Sequence, residues 1–364
     1  MLKLTDAPHH AEVYEYALPL RQPLTTPSPS TAAATESATR KGILIILSDK
    51  NGKVGIGEIA PLPGLHKESL IEVIEKISPD IALSTLHSLP DLPSVKCGVE
   101  MALFSLLAWQ QNTLPFHDTG QSSPITRLPL NALLTGTKEA IIKQAEEAVR
   151  DGYTTLKIKV GRGTPKGDIA AVRACRDAVG KDIALRLDAN CSWKLTTAIR
   201  VGEALQDCNI AYIEEPMRNY WEIEAFYNAT GIRVALDETL YTDNPTQKGF
   251  RNHIPSHCLA AYILKPAAIG SIIETHSLAI EANNRGLDAV ISSVFESGVA
   301  LGFYATMAAA WNDGRAIACG LDTYKFLDGD VLKTPFTATQ GSVSVYDVWN
   351  NSQQLNMSML KRIL

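Results

Sequence analysis

Strand-like apolar stretches near the N-terminus give way, from about Leu128, to short apolar runs separated by helix-length segments. In the first region Tyr14 to Arg21 and Arg40 to Ser48 read as strands. Asp49, Lys50, Asn51 and Gly52 are turn formers leading into a third strand, Lys53 to Ile59. Val99, Ala102, Leu103, Leu106 and Leu107 recur at helical spacing and predict one buried face. Between the first two strands, Thr26 to Ala38 is rich in Thr, Ser, Ala and Pro and has no apolar period, which reads as a mobile loop.

Eight apolar runs follow: Leu128 to Leu134, Thr154 to Val160, Ile183 to Ala189, Ala211 to Glu215, Val234 to Glu238, Ala260 to Pro266, Ala289 to Phe295 and Ile317 to Asp322. Their Ile, Val and Leu content is that of strands covered on both faces. Eight β/α units in about 200 residues match a small TIM-type barrel. The competing open, doubly wound sheet lacks its Gly-rich fingerprint after the first strand. The expected fold is therefore α/β: an α+β domain over residues 1–125, a TIM-type β/α barrel over 126–327, and a segment 328–364 that returns to the N-terminal domain.

Composition narrows the partners. Acidic residues number 39 against 34 basic, with no long run of either sign, so neither nucleic acid nor an anionic membrane is an expected partner. No apolar stretch reaches the roughly 18 to 20 residues of a membrane span. The N-terminus lacks the charged head and apolar run of a signal peptide. Six cysteines are scattered without paired spacing, as expected of reduced thiols in the cytoplasm. Nothing in the sequence bears on self-association.

Charged residues end successive predicted strands. Lys157 and Lys159 lie on the second strand, and Asp188 and Asn190 end the third. Glu214 and Glu215 end the fourth, Asp237 and Glu238 the fifth, and Lys265 the sixth; the seventh runs into Ser292, Ser293 and Glu296. Lys159, Asp188, Glu214, Asp237 and Lys265 are 29, 26, 23 and 28 residues apart. One β/α unit takes about 30 residues, so the five groups should share the C-terminal rim, where barrel enzymes carry their chemistry. Taken singly, a Lys-x-Lys strand is usually half exposed, and a carboxylate after a strand usually caps a helix. Capping does not explain five in register.

Three carboxylates with no His or Cys among them form an all-oxygen site for a hard cation, Mg²⁺ or Mn²⁺ rather than Zn²⁺. Lys159 and Lys265 fall on opposite sides of those strands. A small-molecule carboxylate held by the metal would present its α-carbon between two amines, and the metal would stabilise the enediolate left by proton loss. Repulsion from Lys157 favours a neutral Lys159, and a buried lysine of lowered pKa is a competent base.

These residues resemble the enolase superfamily, and within it the muconate-lactonising subgroup, in the Lys-x-Lys second strand, the three acidic strand ends and the sixth-strand lysine. Thr39 to Gly42, Gly57 to Gly64 and Ile291 to Ser297 extend the resemblance to members that form an aromatic acid by syn dehydration in menaquinone biosynthesis. The resemblance implies Asp188, Glu214 and Asp237 as metal ligands, with Asn190, Glu215 and Glu238 behind them. It implies Lys159 as base and proton donor, Lys157 as its modulator and Lys265 as a cation near the enediolate. It also implies that the N-terminal α+β region is a capping domain, with Pro63 and Gly64 on one of its loops closing over the substrate, and that Ser292 and Ser293 lie near the substrate's side arm. N-acylamino-acid racemases and dipeptide epimerases share the lysine pair. The epimerases usually carry Asp-x-Asp after the eighth strand, where this chain has Asp322 alone. A barrel retained only for binding would be expected to have lost a ligand or a lysine, and none is lost.

Overall fold

The computed structural model describes residues 4–26, 35–77, 91–117, 125–241 and 250–364. Strands β1 (His10–Thr26), β2 (Thr35–Ser48) and β3 (Val54–Ile59) form an antiparallel meander. Helices α1 (Leu70–Lys76) and α2 (Pro93–Gln111) follow. Val13, Ile43, Ile45, Leu47 and Ile59 of the sheet bury against Val95, Val99, Ala102 and Leu106 of α2. Two glycines set that approach. A Cβ on Gly57 would stand 1.9 Å from the Gly98 carbonyl oxygen, and one on Gly55 2.2 Å from that of Ala102. The expected loop from Thr26 to Ala38 is strand at both ends, because Thr26 pairs with Thr35, Thr25 with Glu36 and Leu24 with Ser37. A ladder needs backbone groups and tolerates β-branched Thr without an apolar period. Residues 27–34 lie outside the described residues.

The second region begins with β4 (Arg127–Pro129), β5 (Ala132–Leu134), α3 (Lys138–Arg150), β6 (Thr155–Lys159), α4 (Pro165–Val179), β7 (Ala184–Asp188) and α5 (Leu195–Ala204). It continues through β8 (Ile210–Glu214), α6 (Ile223–Thr230), β9 (Val234–Leu236), β10 (Leu259–Leu264), α7 (Pro266–Ile269), α8 (Ile272–Asn284), β11 (Asp288–Ile291) and α9 (Gly298–Ala310). Among the described residues β5 to β11 pair in parallel in chain order. Bridges from Leu130 to Cys319 and from Ser292 to Gly320 close them into a barrel.

Two expected strands differ in detail. The run Leu128 to Leu134 divides: β4 pairs antiparallel with β12 (Ser342–Ser344), and only β5 enters the barrel. The eighth run, Ile317 to Asp322, contributes the two bridges and then turns into a 3₁₀ helix at Asp322–Phe326. Gly320 allows this closure, since a Cβ there would meet Ser292 Oγ at 2.4 Å. The chain ends with α10 (Val345–Ser352) and with β13 (Leu360–Arg362), which pairs with β1 through Tyr14 and Arg362. No helix among the described residues is long and apolar enough to cross a membrane, and all six cysteines are free.

Buried glutamates stitch the N-terminal sheet and helix to the barrel. Glu58 of β3 accepts from Ser297 N at 2.8 Å, Ser297 Oγ at 2.7 Å and Ala300 N at 3.1 Å, at the start of α9. Glu100 of α2 accepts from Ile272 N at 2.6 Å and Ile273 N at 3.2 Å, with both oxygens near Ser271 Oγ, at the start of α8. Each carboxylate thus meets the amides that a helix leaves unpaired at its positive end.

Candidate active site

Side chains two apart on a strand share a face, so Lys157 and Lys159 of β6 both point inward. Parallel register sets Lys159 beside Asp188 and Asp188 beside Glu214. Glu214 pairs with Ala235, which puts Asp237 two residues further along the next strand, on the same face. Lys265 follows β10 directly. The five predicted strand-end groups therefore gather on one rim.

Asp188, Glu214 and Asp237 have no exposed surface. Lys157 Nζ lies 2.9 Å from Asp188 Oδ2 and donates to Glu214 Oε1 at 2.8 Å. Lys159 Nζ donates to Asp188 Oδ2 at 2.5 Å and to Asn190 Oδ1 at 2.9 Å. Lys265 donates to Asp237 Oδ2 from the far end of the row. The amines sit where cationic charge is demanded, and they keep the acids apart.

The residues after the acids hold unusual backbone. Asn190, Cys191 and Glu215 have φ of 43°, 58° and 39°. Such left-handed non-glycine conformations cost about 1 kcal/mol or more each and persist where the surroundings impose them. The constraints are visible. Asn190 donates through Nδ2 to Glu238 Oε1 at 3.0 Å. Glu215 accepts from Asp237 N and Thr239 N, both at 2.8 Å, and from Thr239 Oγ1 at 2.9 Å. Tyr241 Oη adds a bond to Asp237 Oδ1 at 3.2 Å; nothing in the sequence marked Tyr241, which sits five residues past the end of β9.

Burial and crowding divide the titrating groups. Burial, opposed by Asp188 and reinforced by Lys157, pulls Lys159 below the usual lysine range. Burial also acts on Lys157 and Lys265, but Asp188 and Glu214 around the first and Asp237 beside the second outweigh it and raise both. Burial and then Asp188 push Glu214 up to about 8, and burial and then Glu238 push Glu215 up to about 8. Asp188, Glu214, Glu215, Asp237 and Glu238 are five acids against three lysines, an excess of two acidic side chains. That excess, in an all-oxygen donor set, suits a hard divalent cation.

The tightest donor cluster among the described residues is a neighbouring one. Single donor atoms of Cys191, Glu215 and Glu238 lie within 4.8 Å of one another. Burial, then Glu215 and Glu238, keeps the Cys191 thiol protonated. Glu215 is fully engaged in holding the Asp237 turn, so this cluster supports the row instead of duplicating it.

Other expected site residues border the rim. Ser293 Oγ lies 2.6 Å from Thr323 Oγ1 and donates to Gly320 O at 3.0 Å, while Ser292 Oγ reaches the same oxygen at 3.4 Å. Pro63 and Gly64 occupy the turn after β3, bridged from Pro63 to His66. His66, unmarked in the sequence, accepts from Leu62 N through Nδ1 at 2.9 Å and so donates through Nε2 to Ala267 O at 3.1 Å, next to the Lys265 turn. Asp322 is engaged by Tyr153 Oη at 2.5 Å and Lys325 Nζ at 3.2 Å.

Residues 140–348 match the family described as enolase C-terminal domain-like, and residues 8–106 match the MenC N-terminal domain. An o-succinylbenzoate synthase of Proteus mirabilis is 30% identical, covering 89% of this chain and 93% of that protein. Protein PHYLLO of Arabidopsis thaliana, a chloroplastic protein, is also 30% identical over 80% of this chain, which spans only 20% of PHYLLO. A dipeptide epimerase from Enterococcus faecalis, solved with Mg and L-Leu-L-Tyr, superposes with a TM-score of 0.78 at 20% identity, covering 92% of this chain and 99% of that one.

Proposed function

The chain belongs to the enolase superfamily, and on that premise we propose that it is a Mg²⁺-dependent o-succinylbenzoate synthase of menaquinone biosynthesis. It would dehydrate 2-succinyl-6-hydroxy-2,4-cyclohexadiene-1-carboxylate. The observation that carries this reading is geometric: Lys159 and Lys265 bond to Asp188 and Asp237, at opposite ends of a row of three fully buried carboxylates. The Proteus synthase supports the choice of reaction.

In this reading Asp188, Glu214 and Asp237 would hold the metal, with Asn190, Glu215 and Glu238 fixing their orientation. A metal bound there would supply positive charge near the substrate carboxylate. Lys159 Nζ takes the α-proton, and the C–H electron pair moves into the carboxylate to give an enediolate. The electrons return to expel the hydroxyl from the neighbouring carbon as a new ring double bond forms. The Lys159 ammonium returns its proton to the departing oxygen on the same face, so water leaves and the ring becomes aromatic. Lys157 keeps Lys159 a weaker base than a free lysine, and Lys265 stabilises the anion from the opposite side.

A racemase reading draws support from Lys265, a protonated amine across the acid row. A dipeptide epimerase reading is weakened by Asp322, whose charge is already answered by Lys325 and Tyr153, leaving little to grip a substrate ammonium. The deciding experiment supplies purified protein and Mg²⁺ with the cyclohexadiene carboxylate and follows the aromatic ring in the ultraviolet. Mg²⁺-dependent aromatisation supports the proposal. Exchange of an N-acylamino acid's α-proton in deuterated water with no aromatisation moves the assignment to the racemase.

A further inference from the structure

Arg40, within the Thr39 to Gly42 run, has no part in the lysine and carboxylate chemistry, yet it is 3% exposed and fully engaged. Its guanidinium leaves β2 and reaches two separate loops. Nε donates to Phe295 O at 3.0 Å, Nη1 to Pro61 O at 3.0 Å and to its neighbour Lys41 O at 3.2 Å. Nη2 donates to Ala60 O and to Val294 O at 3.3 Å. Ala60 and Pro61 lead into Pro63 and Gly64, while Val294 and Phe295 follow directly on Ser292 and Ser293. One planar fork thus bridges a loop of the N-terminal sheet and a loop of the barrel.

The receiving backbone is shaped for it. Phe295 holds φ at 64°, a left-handed conformation rare for a bulky residue, and its carbonyl meets Nε. Glu296 accepts from Val294 N, which bends the same turn back on itself. At the other end of the first loop, the His66 bond to Ala267 O leaves Arg40 to fix the near end.

We propose that Arg40 is a positioning residue for specificity: by holding Ala60–Pro61 against Val294–Phe295 it sets the separation between Pro63–Gly64 and Ser292–Ser293, and so the fit of the substrate's side arm. This rests on the proposed reaction and on the place beside the substrate that the family resemblance implies for those four residues. A lysine at 40 is a point donor and cannot span both loops, so charge alone does not replace the fork.

The test uses full-length Arg40→Met and Arg40→Lys with Mg²⁺ and the cyclohexadiene carboxylate, together with backbone hydrogen exchange. KM should rise by about tenfold or more in Arg40→Met while kcat changes by less than about threefold, because the lysines and acids are untouched. Arg40→Lys should recover part of the KM loss. Exchange should quicken together at residues 60–66 and 292–297 and stay unchanged in α3. An unchanged KM in both variants, a loss confined to kcat, or faster exchange in one loop alone overturns the proposal. If Arg40→Met does not fold, Arg40→Lys decides by the same criteria. If the wild type leaves the diene unreacted, the proposed reaction fails, and the exchange measurement decides the role of Arg40 independently.

Discussion

At the barrel rim Asp188, Glu214 and Asp237 face side-chain ammonium groups, whereas at the seam between the N-terminal sheet and the barrel Glu58 and Glu100 face backbone amides. Both sets are buried, and both must offset the loss of water. The seam does so with fixed partners, since helix amides go where the fold puts them. The rim does so with ammonium groups on rotatable four-carbon stems, and it carries more acids than amines. A buried carboxylate satisfied by backbone is part of the architecture. One satisfied by movable cations is poised to exchange them for another positive charge, which is why the rim and not the seam is assigned the chemistry.

The comparison breaks most readily at Lys159. Lys159→Ala should lower aromatisation by more than about 100-fold, roughly 3 kcal/mol in the barrier, with melting temperature and Mg²⁺ binding nearly unchanged. Activity above about a hundredth of wild type would remove Lys159 from the base role.

At the seam the sharper test is pH. Burial, then the Glu58 charge, pushes Glu296 up to about 7. An acid raised in the folded state binds its proton there while the unfolded chain has lost it. Stability therefore falls as pH climbs from about 4.5 to 7, by up to about 3 kcal/mol from this group. Glu296→Gln should flatten that slope in urea unfolding at pH 5 and pH 8; an unaltered slope contradicts the assignment.

Glu100→Ala should cost about 2 kcal/mol in stability by leaving the Ile272 and Ile273 amides at the start of α8 without their acceptor, with kcat per folded molecule unchanged. A large kcat loss in the folded variant would place Glu100 with the rim instead. The smallest effect belongs to Tyr241→Phe, which removes one bond to Asp237 and should weaken Mg²⁺ by about 1 kcal/mol or less in a calorimetric titration. A complete loss of binding would give Tyr241 a larger part than a single hydrogen bond allows.

The rim was legible because its residues sit on β/α units of even length, so spacing alone places Lys159, Asp188, Glu214, Asp237 and Lys265 together. The seam was not. Arg40, Glu58 and Glu100 bind backbone up to 255 residues away, and a carbonyl or amide leaves no mark in the side-chain pattern. His66 was hidden for the same reason. The eighth strand was overread because its apolar residues serve closure at Cys319 and Gly320, not a long ladder. The reach of β1 and β2 into the expected loop was missed because pairing there depends on backbone and Thr, without apolar alternation.

In the proposed enzyme the rim carboxylates would share one divalent ion. Anomalous scattering from crystals grown with Mn²⁺ tests it most directly. A single peak bounded by Asp188, Glu214 and Asp237 is expected, with the Lys157, Lys159 and Lys265 amines drawn back from those oxygens. A peak among Cys191, Glu215 and Glu238 instead, or none at the rim at saturating Mn²⁺, would contradict it.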